Sequence, residues 1–170
     1  LQISLLSALY AGENMPTVST TFKILPGETN IGIVGPDQVK FTKPTEARAR
    51  LIIRYLLRDP KVSVVSGHCP DGGIDIFAEE IAEELGRRQF IYPPSNQRWE
   101  PYGYKARNIR IAKKSDVVFA IVLRELPAHY VGQRFRICYH CKTDTHVQSG
   151  GCWTAKYAER IGKRAVWIEI

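Results

Sequence analysis

The segment Ser149-Gly150-Gly151-Cys152-Trp153-Thr154 sets two adjacent glycines between a polar loop and a stretch with helical spacing. Glycine lets backbone N–H groups come close to an anion, and the positive end of a helix dipole favours negative charge at that point. A phosphate group is the guest such a turn suits. A second glycine-rich turn, Ser66-Gly67-His68-Cys69-Pro70-Asp71-Gly72-Gly73-Ile74-Asp75, also stands between a strand pattern and a helix pattern. Each turn alone reads equally well as a plain connection. Two in matching context point to one shared ligand, held by Ser66, Gly67, Gly72, Gly73, Gly150 and Gly151, with Gly35 at the exit of another strand.

Other side chains could complete that site. Arg107 has the planar donor fork that pairs with phosphate oxygens, against a reading as one more cation on a solvated helix. Asn108 could hydrogen-bond a base or ribose, or hold the loop. Asp75 could accept from a ribose hydroxyl or cap the helix that Gly73 opens. Thr154 could cap its helix or bond a phosphate at the same loop. Asp116, just before an apolar strand, reads as structural. Trp99, Tyr102 and Tyr104 alternate with Arg98, Lys105 and Arg107, the mixture of aromatic faces and cations on which nucleobases stack; the same residues could equally pin down a proline-rich loop.

Cysteine and histidine form a further constellation. Cys138 and Cys141 are a C-x-x-C pair, followed by His146 and Cys152, which is a set of four that could ligate zinc. A second C-x-x-C is absent, so unliganded thiols are the competing reading. Cys152 lies within the proposed phosphate loop, which sets the two roles in conflict. His68 and Cys69 are adjacent, and neighbours in a strand-exit turn point apart, so a Cys/His nucleophile is discounted.

The elements that must position these residues follow from periodicity. Ile31–Gly35, Val62–Ser66, Phe90–Tyr92, Val117–Leu123 and Arg164–Ile168 read as strands, the fourth buried on both faces. Between them Pro44–Arg58 (capped by Thr45, with Ala47, Leu51, Ile52, Tyr55 and Leu56 inward), Ile74–Leu85, Lys105–Lys114 and Thr154–Ile161 read as helices. Alternation of this kind predicts an α/β Rossmann-like fold: a parallel sheet of about five strands with helices on both faces and a crevice at the strands' C-terminal ends. Residues 29–170 form that domain, with a cysteine-containing insertion at 124–148 too long for an ordinary connection. Residues 1–28 read as an N-terminal arm or appended segment, with an edge strand or arm at 17–25. Met15 is the sole methionine, and residues 1–14 lack the basic start of a signal peptide, so either translation begins at Met15 or the chain is part of a longer one.

Bulk properties narrow the partners. A 170-residue chain that is 44% hydrophobic and 24% charged is ordinary globular material for one domain. A net charge of +7 favours polyanionic partners such as nucleotides or single-stranded DNA. No apolar run is long enough to span a bilayer, so no membrane partner is expected. Four cysteines are too few for a secreted disulfide scaffold, which points to a cytoplasmic protein. The oligomeric state is left open, a homo-oligomer included.

Taken in order, these segments resemble the SLOG superfamily of Rossmann-like proteins, which includes the DNA-processing DprA/Smf family, the LONELY GUY phosphoribohydrolases and YpsA-like proteins. The resemblance is carried by Val65-Ser66-Gly67 with Gly73-Ile74-Asp75, by Arg107-Asn108 before Asp116-Val117-Val118, and by Ser149-Gly150 with Thr154-Ala155, Ala158 and Gly162-Lys163. It implies a nucleotide or nucleotide-derived phosphorylated ligand. The alternatives it implies are hydrolysis of nucleoside 5′-monophosphates, as in LONELY GUY enzymes, and single-stranded DNA binding of the DprA type. Aligned on Gly150-Gly151 and Thr154, the catalytic glutamate of LONELY GUY enzymes falls on Tyr157 and their third glycine on Trp153. A phenol titrating near 10 is a poor replacement for a carboxylate, so hydrolysis would need Asp75, Glu79 or Glu80 instead.

Overall fold

The computed structural model describes residues 22–170. Five strands, β1 (Asn30–Val34), β2 (Ser63–Ser66), β3 (Gln89–Ile91), β4 (Val117–Val122) and β5 (Arg164–Glu169), form one parallel sheet in the order β3-β2-β1-β4-β5. Four helices connect them: α1 (Lys43–Leu56), α2 (Ile74–Glu84), α3 (Tyr104–Lys114) and α4 (Gly150–Arg160). This is the expected Rossmann-like α/β architecture. The chain runs outward from β1 to β3, then returns to lay β4 on the other side of β1. That reversal opens a crevice between the C-terminal ends of β1 and β4.

Strand periodicity divides the core in two. In β4 every residue is buried: Val117, Phe119 and Ile121 pack with α1 and α2, whereas Val118, Ala120 and Val122 pack with α3 and α4. A strand covered on both faces must be apolar throughout, which is why VVFAIV reads without alternation. Helix α2 presents the expected stripe of Ile74, Phe77, Ala78, Ile81 and Ala82.

Local chemistry corrects several boundaries. Thr42, not Thr45, is the N-cap of α1: its hydroxyl accepts from the Thr45 N–H at 3.3 Å, while the Thr45 hydroxyl accepts from the Thr42 N–H at 2.9 Å. This reciprocal box starts the helix one residue before Pro44. The buried stripe of α1 is Ala49, Ile52, Ile53 and Leu56, so Ala47 and Tyr55 are not core residues; Tyr55 instead lies under the Arg58 guanidinium and against Phe22. Helix α4 begins at Gly150 rather than Thr154, with Ser149 as N-cap, so both glycines lie inside its first turn. Of the arm at 17–25, residues 17–21 lie outside the described residues, and 22–25 pair with no strand. This segment is fastened instead by Arg164, which donates to the Lys23 carbonyl and to both carboxylate oxygens of Glu28. Among the described residues no helix is long and apolar enough to cross a membrane.

Asp116 confirms a structural reading. One carboxylate oxygen accepts from the Thr29 N–H (2.9 Å), the Thr29 hydroxyl (3.3 Å) and the Asn30 N–H (2.8 Å), tying the entry of β1 to the entry of β4. Burial works to raise its pKa, but these donors outweigh burial and hold the carboxyl below the usual aspartate range. A lowered folded pKa adds stability that is full above the unfolded value and is lost as pH falls through the folded one. Asp116→Asn is therefore expected to flatten the acid limb of a pH–stability curve, measured by urea unfolding between neutral pH and the onset of acid denaturation. An unchanged acid limb would remove Asp116 as its source.

Candidate functional site

At the crevice, the exit of β1 (Val34 to Asp37), the first turn of α4 (Ser149 to Gly151) and the inner face of α3 enclose a cleft of about 230 Å³. Asp71 and Cys69 from the β2–α2 loop, Trp99 from the loop before α3 and Tyr104 at the first position of α3 complete its rim. Of the residues expected to share one ligand, Gly35, Asp75, Arg107, Asn108, Gly150, Gly151 and Thr154 do meet at this cleft.

The two glycine turns prove unlike. At the mouth of α4 the Ser149 side chain makes no capping bond, and the Gly150 and Gly151 N–H groups have no acceptor among the described residues. A Cβ on Gly150 would meet only the Asn108 Nδ2, at 3.9 Å, so no packing demand requires glycine there. Gly151 differs: a Cβ would lie 2.7 Å from the Gly35 nitrogen and 3.0 Å from the Val34 carbonyl carbon. Its glycine lets α4 seat directly on the end of β1, the close helix–strand contact of dinucleotide-binding folds. The 66–75 turn is bonded to protein groups instead. Ile74 N–H donates to the Pro36 carbonyl (3.1 Å), Gly72 N–H to the Cys69 carbonyl (3.0 Å), and the Gln38 N–H to the Asp71 carbonyl (3.2 Å). Gly73, at φ +84°, sits where a Cβ would fall 2.2 Å from the Pro36 carbonyl oxygen. Ser66, Gly67, Gly72 and Gly73 thus lie outside the cleft lining, and their geometry is accounted for by packing.

Arg107 and Asp75 form a buried ion pair at 2.5 Å, with side chains only 10% and 7% exposed. Asp75 therefore neither caps α2 nor presents a free carboxylate. Burial pushes its carboxyl above the usual range even against the pull of Arg107. Gly67 makes room for this pair, since a Cβ there would lie 1.9 Å from the Arg107 Nη1. The guanidinium also faces the Tyr104 ring at 5.0 Å, and its Nε is buried with no partner among the described residues. Burial, reinforced by the nearby Cys69 and Asp71, pushes the Tyr104 phenol up to about 12, so it remains a neutral donor beside the cleft. Asn108 is 3% exposed, and its carboxamide pairs with no other described residue. Thr154 neither caps nor faces outward: its hydroxyl donates to the Gly150 carbonyl at 3.1 Å.

Sequence reasoning missed Asp37 and Lys40, which follow the Gly-Pro exit of β1 and form an ion pair at 2.9 Å on the cleft wall. Asp37 Oδ1 is buried without a partner among the described residues. Their signal was positional: residues just past a central parallel strand line the crevice whatever their type. The carboxylates considered for hydrolysis are all engaged. Glu79 accepts from Ser66 (2.6 Å) and bonds His68 Nδ1 (2.7 Å), and Glu80 pairs with Arg50 at 2.8 Å. Tyr157 lies outside the cleft, stacked on Trp153 at 5.3 Å with 12° between planes. Trp99 meets the edge of Trp153 at 5.0 Å, and Arg160 covers Tyr157 and Trp153 at 5.4 and 5.9 Å. An aromatic–cationic ladder therefore leads out of the cleft. Tyr102, in the same loop as Trp99, is exposed.

Behind α4, the donor atoms of Cys138, Cys141, His146 and Cys152 lie within 4.8 Å of one another and could hold a metal ion. The expected conflict over Cys152 is resolved by helix geometry. Gly150 turns toward the cleft and Gly151 borders it while packing on the end of β1, whereas Cys152 is fully buried in the core between α4 and the insertion.

By sequence the chain matches no protein-family model and no curated protein. By structure it is similar to DNA processing protein A from Streptococcus pneumoniae, with 16% identity over 82% of this chain and a TM-score of 0.52. The chain spans half the length of that protein. It is also similar to a molybdenum cofactor carrier protein from Chlamydomonas reinhardtii, with 14% identity, a TM-score of 0.51, and coverage of 82% of this chain and 76% of that one. Likeness at this identity speaks for the Rossmann-like fold.

Proposed function

We propose that the cleft binds a mononucleotide or a nucleotide-derived phosphorylated ligand, with its phosphate on the first turn of α4. The observation that carries this reading is the Gly150–Gly151 mouth. It has free amides and a helix dipole, a glycine that packing does not require, and the unpaired carboxamide of buried Asn108 beside it. Asp37 and Asp71, which also line the cleft, suit hydroxyl or amino donors, and Tyr104 and Trp99 offer a face to a base. One phosphate at one end and donor groups at the other describe a nucleoside monophosphate better than an inorganic anion. The neighbours, a DNA-processing protein and a cofactor carrier, fit a ligand- or DNA-binding α/β fold of the SLOG kind. Asp75, Glu79 and Glu80 are each engaged by a protein partner, which favours binding over cleavage by the carboxylates weighed for hydrolysis. The cofactor in this reading is zinc at the cysteine–histidine cluster, outside the cleft.

Calorimetric titration with adenosine monophosphate, adenosine and inorganic phosphate tests the site. Adenosine monophosphate is expected to bind more tightly than either part. Asn108→Asp, which sets a carboxylate beside the phosphate, is expected to weaken binding at least about tenfold. No binding of any nucleoside monophosphate at millimolar concentration would overturn the reading, and release of free adenine would replace it with hydrolysis. A second reading, single-stranded DNA, is favoured by the Trp99–Trp153–Tyr157 ladder. It requires quenching of tryptophan fluorescence by oligothymidine with an affinity that falls steeply with salt, as counterion release dictates.

A further inference from the structure

We infer that the zinc ion held by Cys138, Cys141, His146 and Cys152 is a clamp that fastens the 124–148 insertion to the first turn of α4 and so fixes the mouth of the cleft. The inference rests on the zinc reading of this cluster and is independent of which ligand the cleft takes.

The insertion cannot hold itself. Between β4 and α4 its only described ladder contact is the single bridge from Cys138 to Thr143. Its large apolar side chains face water: Val131 is fully exposed, and Phe135, Ile137 and Tyr139 are each 47% exposed. A segment this long without a core of its own needs a cross-link to stay ordered. Besides Pro127 and Val147, its inward-facing residues are the ligands themselves, with Cys138 fully buried and His146 6% exposed.

The local geometry is that of a built site. Cys138 N–H donates to the Thr143 carbonyl and Lys142 N–H to the Cys138 carbonyl, both at 2.7 Å, and Lys142 turns through φ +61°. This tight reversal folds the C-x-x-C pair back so that both sulfurs reach one point. His146 Nε2 lies 3.5 Å from Cys152 Sγ, while Nδ1 bonds the Thr145 hydroxyl at 3.1 Å. Tetrahedral bonds of roughly 2.3 Å to sulfur and 2.0 Å to nitrogen imply ligand–ligand edges of about 3.5 to 3.8 Å. The second nitrogen of a ligating histidine is held in this way by an oriented partner. Three soft thiolates and one imidazole select zinc over the harder cations. On binding, the three thiols release their protons to solvent.

The mechanical consequence follows from where Cys152 sits. Two residues after Gly150 on the same turn, it ties the amides facing the cleft to three ligands from the insertion. Metal content and hydrogen exchange of the protein purified without chelator test this. About one zinc per chain is expected. Its removal by a chelator is expected to speed amide exchange at least about tenfold both across 138–147 and across Cys152–Lys156. Cys141→Ser should lose the ion, and His146→Cys, which keeps four ligands, should retain both zinc and slow exchange. Absence of zinc, with no uptake from added Zn²⁺, would overturn the site and the clamp together. So would a disulfide between Cys138 and Cys141. Stoichiometric zinc whose removal leaves exchange across Cys152–Lys156 unchanged would overturn the clamp alone.

Discussion

Arg107→Met is expected to lower unfolding free energy by about 3 to 5 kcal/mol, the cost typical of removing one partner from a buried ion pair. The Arg107 and Asp75 side chains are 10% and 7% exposed, and burial already presses against the Asp75 charge. Removing the guanidinium leaves a carboxylate in the core between α2 and α3 with no cation to answer it. The loss therefore reflects the partner left behind more than the strength of the bond. The double variant Asp75→Asn/Arg107→Met separates the two, because it removes the charge along with its counterion. It is expected to recover most of the lost stability in urea unfolding at neutral pH. Equal losses in the single and double variants would show that Arg107 acts by packing over Tyr104 and beneath Gly67 instead of by charge.

Two neighbouring glycines are expected to fail in opposite ways. Gly151→Ala places a methyl group within 3.0 Å of the backbone of Val34 and Gly35, where nothing can yield without moving α4 off the sheet. A loss of roughly 1 to 3 kcal/mol is expected, as for other overpacked positions. Gly150→Asp meets no protein atom closer than 3.9 Å at Cβ, and a carboxylate in the first turn is favoured by the helix dipole. Its stability is expected to stay within about 0.5 kcal/mol of the parent. The same carboxylate occupies the place proposed for the phosphate, so affinity for adenosine monophosphate should fall on the order of 100-fold or more. Thermal unfolding and calorimetric titration of both variants separate a packing glycine from a ligand glycine. If Gly150→Asp binds as the parent does, the phosphate does not sit at α4.

The sequence by itself determined the layers. Strand-length apolar runs alternating with helical stripes leave few ways to bury both, and the unbroken VVFAIV of β4 required cover on two faces. That alternation called for a parallel sheet with a crevice at the strands' C-terminal ends, whereas the place of the reversal, between β1 and β4, was decided by the tertiary structure. The C-x-x-C spacing also marked Cys138 and Cys141 as candidate ligands, because that pattern is local, and the structure brings them together with His146 and Cys152. Partnerships between distant segments were decided only by the tertiary structure. Asp75 and Arg107 belong to different helices, and nothing in either neighbourhood says that the two will meet and neutralise each other. Gly150 and Gly151 are indistinguishable as letters, yet one faces the cleft and the other the backbone of β1, because a helix turns its residues by roughly 100° at each step. The same rotation sends Cys152 away from the cleft, so a phosphate cradle and a metal ligand can share one turn. The glycine turn at 66–75 looked like a second cradle because its residue types suit either role. Its Ile74 amide and its Asp71 carbonyl were taken by the loop at 36–38 folding against it, a contact that exists only once β1 and β2 are side by side.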